Sequence, residues 1–133
     1  MKAVKAKITG GLNHGSIVNT CDNSGAKKCR IISIKLAKTV RRRKPVAKVG
    51  DLVNVSVVVG DISMRKQVVP AIVVRQKRAY RRLDGTRIKF EDNAVLIVKD
   101  EKGNPKGTIF KGPIAKEAAD RWPPISKVAP MVI

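Results

Sequence analysis

The sequence is poor in aromatic residues, with Tyr80, Phe90, Phe110 and Trp122 the only ones among 133 positions. An RNA reader that stacks successive splayed bases on several sheet aromatics is therefore disfavoured, and backbone and shape contacts are the better expectation. The one histidine, His14, sits between Asn13 and Gly15 in a basic stretch and reads as a surface loop residue rather than a general base. Cys21 and Cys29 have no further Cys or His at zinc spacing, so they read as reduced, small core residues of a cytoplasmic chain. The best apolar run, Val68 to Val74, contains Pro70 and ends at Arg75, too short to span a bilayer. Lys5, Lys7 and Gly10-Gly11 break any hydrophobic segment of the signal-peptide kind after the charged start. Acids are scarce as well: 10 Asp and Glu stand against 29 Lys and Arg.

What is present is charge on a chain able to fold. The formal net charge is +19, and a folded surface of about 6,900 Å² would carry one uncompensated positive charge per roughly 360 Å². That density repels itself unless a polyanion neutralises it, which points to nucleic acid as partner. The 43% hydrophobic content suffices for a core and excludes a disordered basic tail. The length fits one domain.

Residues 1–15, with Lys2, Lys5, Lys7, Gly10, Gly11 and Gly15, show no sustained period and read as a basic arm. Ser16 to Thr20 reads as a strand, Asp22-Asn23-Ser24-Gly25 as a turn, and Cys29 to Leu36 as a second β-branched run, most simply a hairpin. A loop follows with Lys38, Arg41-Arg42-Arg43-Lys44, Pro45 and Lys48. In Leu52 to Val59, residues Val53, Val55, Val57 and Val59 alternate with Asn54 and Ser56, which predicts a strand with one buried face. Val68 to Val74 is a further strand, with Pro70 suggesting an edge or a bulge. Asp84-Gly85 between short alternating arms predicts a hairpin within 75–90, and Ala94 to Val98 another strand. Only Ile114 to Trp122 reads as helical, ended by Pro123-Pro124. The whole is mostly β, a small closed barrel over 16–106 with a C-terminal region over 107–133.

The inventory for catalysis is thin. Glu91-Asp92-Asn93 is the densest acidic cluster and the one place for a nuclease-type metal, but neighbours on a strand point to opposite faces, and a strand-ending turn is the simpler reading. No glycine-rich loop leads into a helix to cradle a phosphate. The informative feature is three basic footprints: Lys27, Lys28 and Arg30; Arg41, Arg42, Arg43 and Lys44; and Arg75, Lys77, Arg78, Arg81, Arg82 and Arg87 on one hairpin, with Arg65 and Lys66 in a connector. Arginine forks take phosphate oxygens bidentately, and a merely solubilising surface would interleave acids. Tyr80 either stacks on a ribose or unpaired base or packs on the hairpin's own arms. Trp122, Ile125, Val128 and Met131 either form an apolar protein-docking face or cap the barrel.

Thr20-Cys21-Asp22-Asn23-Ser24-Gly25-Ala26-Lys27 resembles the Ala-Asp-Asn-Ser-Gly-Ala-Lys turn of the large-subunit ribosomal protein L-fourteen family. Gly50-Asp51, Ala71 to Arg75, Arg81 to Gly85, Phe90 to Ala94, Gly107-Thr108 and Gly112-Pro113 resemble its later blocks in order and spacing, over residues 16–133. Ala118 to Pro123 and the basic arm resemble the archaeal and eukaryotic branch. Ile109 departs from the Arg usual in bacterial relatives, and Pro124 from the basic residue common in this branch. The resemblance implies a five-stranded barrel with a projecting β-hairpin and short C-terminal helices, and a noncatalytic, cofactor-free structural role. It implies contacts from Asn23, Ser24 and the basic residues above to large-subunit ribosomal RNA, and a bridge to small-subunit RNA. The neighbours it implies are ribosomal protein L-three and eukaryotic-type L-twenty-four, with anti-association factor six docking on 107–133. A free barrel-type translation or chaperone factor is the alternative.

Overall fold

The β-branched runs become the staves of a closed barrel. A computed structural model describes residues 1–37 and 39–133; Lys38, part of the expected basic loop, lies outside the described residues. The elements run β1 (Leu12–Asn13), β2 (Ile17–Thr20), β3 (Ala26–Ile34), β4 (Val46–Ala47), β5 (Leu52–Gly60) and β6 (Val68–Arg75), then β7 (Tyr80–Arg81), β8 (Arg87–Ile88), β9 (Ala94–Ile97), α1 (Lys116–Arg121) and α2 (Pro123–Val128). The barrel order is β2-β3-β5-β6-β9. Its seam is the parallel pairing of β2 with β9, Asn19 opposite Ala94 and Thr20 opposite Val95. Closure leaves these valine-rich strands no open edge on which another chain could template. The mostly-β barrel, the hairpin (β7–β8) and the short C-terminal helices all match the sequence expectation.

Two cores share one wall. Val18, Cys29, Ile31, Val53, Val55, Ala71, Val73, Val95 and Ile97 fill the barrel interior. On the other side of β6 and β9, Ile72, Val74, Ala94 and Leu96 pack against Tyr80, Phe90, Phe110, Ala118, Trp122 and Ile125. These two strands are therefore buried on both faces, which is why they read as near-continuous apolar runs rather than alternating ones.

Local departures have local causes. The alternation of β5 fails at Val59, which is exposed with Val58, because the ladder steps from Lys28 opposite Val59 to Cys29 opposite Val57 and leaves one residue of β5 unpaired. Pro70 is on no edge: the Val98 amide donates to its carbonyl at 3.0 Å where the β6–β9 ladder ends, and the missing N–H returns no bond. Pro123 and Pro124 end α1 but also open α2, since the first turn of a helix needs no amide donors. The arm is not free. Ile8 and Leu12 are buried, β1 pairs with β4, and the Lys2 amide donates to the Arg121 carbonyl at 2.8 Å. Two isolated apolar residues among glycines and lysines carry no period, so the pattern hides this docking.

Candidate nucleic-acid interface

Strand periodicity builds the first basic surface. Lys28 and Arg30 are exposed on β3 while Cys29 and Ile31 point inward, and Lys27 is exposed beside them. Arg30 stands opposite Ile17 on one side and Ser56 on the other, so no carboxylate faces it across the strands. The second surface is the loop between β3 and β4. Arg41, Arg42, Arg43 and Lys44 are all exposed, and the loop's return end is fastened where Ala47 pairs with buried Leu12. Arg65 and Lys66 are exposed on the turn after β5, where Arg65 Nε donates to the Gly60 carbonyl at 2.9 Å.

The hairpin region divides into free and committed cations. Lys77, Arg78, Arg81 and Arg87 are exposed, with Arg78 Nη1 donating to the Gly10 carbonyl at 3.1 Å. Arg75 is buried instead: its fork donates to Asp92 at 2.9 and 3.2 Å and to the carbonyls of Lys111 and Pro113. Arg82 is half-buried, its Nε 2.7 Å from Glu117 Oε1. Tyr80 has no exposed surface and donates its hydroxyl to Glu117 Oε2 at 2.8 Å, so its ring is a core side chain and not a stacking platform. Desolvation pushes the Tyr80 hydroxyl well above its ordinary pKa, reinforced by the Glu117 carboxylate. Burial pushes the Glu117 carboxyl up, but hydrogen bonds from Arg82 and Tyr80 outweigh it and the net shift is down.

The Asp22–Gly25 turn is likewise engaged in bonds within the protein, although Asn23 is exposed and Ser24 half-buried. Asn23 Oδ1 accepts the amides of Thr108 and Ile109, and Ser24 donates to Asp22 at 2.8 Å. Asp22 itself is buried, which raises its carboxyl pKa against the hydrogen bonds from Ser24 and the Ile97 amide. The expected C-terminal docking face splits likewise. Trp122 and Ile125 are fully buried, with Trp122 Nε1 donating to the Gly50 carbonyl at 2.8 Å. Val128 is half-buried, and Met131 is exposed together with Val132 and Ile133.

One residue that sequence reasoning passed over is Gln76. It is fully buried, accepts the Val49 amide, and donates to the carbonyls of Thr9 and Arg78. A glutamine inside a run of arginines looks like surface; here it ties arm, loop return and hairpin to one point. Asp92, the acid weighed as a metal ligand, is occupied by Arg75, and His14 is exposed. Among the described residues no three His, Cys, Asp or Glu gather as a metal set.

Comparison of the sequence with known proteins finds relatives over nearly its whole length. The family model described as ribosomal protein L14p/L23e matches residues 11–133. The chain belongs to that family. It is 50% identical over 133 residues to the large ribosomal subunit protein uL14 of Nanoarchaeum equitans, covering 100% of both chains. To the proteins of the same name from Methanococcus vannielii and Halobacterium salinarum it is 49% identical over 132 residues, covering 99% of both chains, and 47% over 133, covering 100% of both. Membership carries a structural, RNA-binding role in the ribosome and no catalytic activity.

Proposed function

We propose that this chain, acting as a single domain over residues 1–133, is a structural constituent of the large ribosomal subunit that clamps large-subunit ribosomal RNA and contributes to an intersubunit bridge with small-subunit RNA. The observation that carries the reading is the separation of charge. The acids Asp92 and Glu117 are spent on Arg75 and Arg82, whereas Lys27, Lys28, Arg30, Arg41, Arg42, Arg43, Lys44, Lys77, Arg78, Arg81 and Arg87 face solvent. Binding then proceeds by counterion release as these cations neutralise phosphates of more than one RNA helix. Gln76 keeps the hairpin and the loop return at a set spacing, so that the two grip as one body.

The family resemblance supports ribosomal protein L-three and eukaryotic-type L-twenty-four as neighbours, anti-association factor six on residues 107–133, and a ribosomal site in the cytoplasm. On that C-terminal segment the apolar surface open to a partner is Ile109 at one end and Met131, Val132 and Ile133 with part of Val128 at the other. Sedimentation of native extract through sucrose in low and high salt is the test. Retention at about one copy per large subunit is expected, while release to the top fractions would favour the free translation or chaperone factor. Replacing Arg41, Arg42 and Arg43 with Ala should flatten the salt dependence of RNA binding by about 0.7 to 0.9 log units for each phosphate no longer neutralised. An unchanged slope would remove that loop from the interface.

A further inference from the structure

The β7–β8 hairpin is built against its own stability. Arg81 and Arg87 are direct cross-strand partners, and like charges facing one another across an antiparallel pair are destabilising. Both are exposed. Among the described residues the ion pairs join Lys35 to Glu101, Arg75 to Asp92, Arg82 to Glu117 and Arg121 to Asp51, and none reaches either guanidinium. Arg81 Nη2 lies 3.8 Å from the point a Cβ on Gly85 would occupy, so its head leans over the turn.

At the tip stands Leu83, 83% exposed. The turn that carries it is closed by Arg82 N–H to the Thr86 carbonyl at 2.8 Å and Gly85 N–H to the Arg82 carbonyl at 3.0 Å. The Thr86 amide donates to Asp84 Oδ1 at 2.9 Å, so the turn's one carboxylate serves the turn itself. The root is fixed too: Tyr80 and Arg82 both bind Glu117, and Arg82 Nη2 donates to the Ile133 carbonyl at 2.6 Å. Leu83 is thus a bulky apolar side chain held in water by a braced hairpin.

Two arginines without counter-charge call for an anion, and their planar forks match phosphate oxygens. A braced leucine two residues from one of them calls for apolar surface close to that anion. In RNA such surface is the face of a base that has left its stack, or the ribose beneath it. We infer that Arg81 and Arg87 bracket one RNA phosphate and that Leu83 packs on the unstacked nucleotide attached to it, so that the tip selects a bulge or loop over a regular duplex. This rests on the RNA-binding reading above and sharpens it, because a regular duplex would satisfy the arginines and leave Leu83 in water.

The test uses the full chain and two labelled probes, a blunt RNA duplex and the same duplex carrying one unpaired adenosine, followed by fluorescence anisotropy over a salt series. The native protein should prefer the bulged probe by on the order of tenfold. Leu83→Ser should abolish that preference while leaving duplex affinity and salt slope as they were. Arg87→Gln should flatten the slope by about 0.7 to 0.9 for the bulged probe. Both sites are exposed, and an unchanged urea midpoint confirms that each variant folds. Equal native affinity for the two probes, or a preference that survives Leu83→Ser, overturns the inference while leaving RNA binding intact. An unchanged slope in Arg87→Gln also overturns it, because Arg87 then neutralises no RNA phosphate. Failure of the native protein to bind either probe overturns the RNA-binding reading itself.

Discussion

Asn23 holds Thr108 from two directions: its Oδ1 accepts the Thr108 amide at 2.9 Å, and its Nδ2 donates to Thr108 Oγ1 at 3.2 Å. The same Oδ1 accepts the Ile109 amide at 3.3 Å. Gly107 is what allows the approach, because a Cβ there would lie 2.7 Å from Asn23 Oδ1. The Asp-Asn-Ser-Gly turn therefore acts as a fastener that sets the C-terminal segment onto the barrel.

Replacing Asn23 with Ala should cost about 1 to 2 kcal/mol in urea unfolding, the sum of the partly exposed hydrogen bonds it removes. The amides of Thr108 and Ile109 should exchange faster with deuterium in the same variant. Unchanged stability combined with weakened RNA binding would show instead that Asn23 serves chiefly as an RNA contact.

Gly103 lies under the Trp122 ring with φ +90°, and a Cβ there would meet Trp122 Cε3 at 2.5 Å. Gly103→Ala combines a left-handed backbone with a collision in the second core, so a loss of roughly 2 to 4 kcal/mol is expected. Trp122→Ala should cost about 3 to 5 kcal/mol by leaving a cavity. Thermal or urea unfolding reads both, and a neutral Gly103→Ala would mean that the ring has room to shift.

Glu117 makes stability pH-dependent in a defined direction. Its carboxyl is depressed in the folded state despite burial, so its contribution is complete above the unfolded Glu value of about 4.3 and is lost as pH falls through the lower folded value. Asp22 and Asp51 are shifted upward by burial and act in the opposite sense, their charged forms costing stability as pH rises. The difference in urea stability between the native protein and Glu117→Gln isolates the first effect. It should be about 1 to 3 kcal/mol at neutral pH and shrink on acidification; a constant difference would mean that the carboxylate's charge is immaterial.

Cys21 and Cys29 are free and buried. Burial pushes the Cys21 thiol up to about 12 and also raises that of Cys29. Neither should react with a water-soluble disulfide reagent at about pH 8 until the protein unfolds, since the thiolate is the reactive form. Rapid labelling of the native chain would reveal an opening of the barrel.

How much of the fold and the interface is legible in the sequence follows from the range over which each feature is decided. The inward face of Val53, Val55 and Val57 follows from spacing alone, because period two is a local property. Arg75 and Arg82 read like Arg81 and Arg87, yet the carboxylates that neutralise the first two lie 17 and 35 residues away. Charge density announces a polyanion partner but does not say which cations remain free to meet it. Tyr80 shows the same limit, since its hydroxyl partner is 37 residues further on. Ile8 and Leu12 are hidden because single apolar residues among glycines have no period to detect.

The parallel seam between Asn19 and Ala94 has a consequence for synthesis. During translation the first strand of the barrel must wait, with one flank unpaired, until the last strand has cleared the exit tunnel. β3 can pair with β2 at once, but closure is deferred until β9 emerges, and the second core cannot assemble until Trp122 arrives to pack on the finished wall. A strongly cationic, half-built sheet emerging beside ribosomal RNA is a species open to premature capture. The order of emergence therefore makes its protection a matter of timing as much as of final stability.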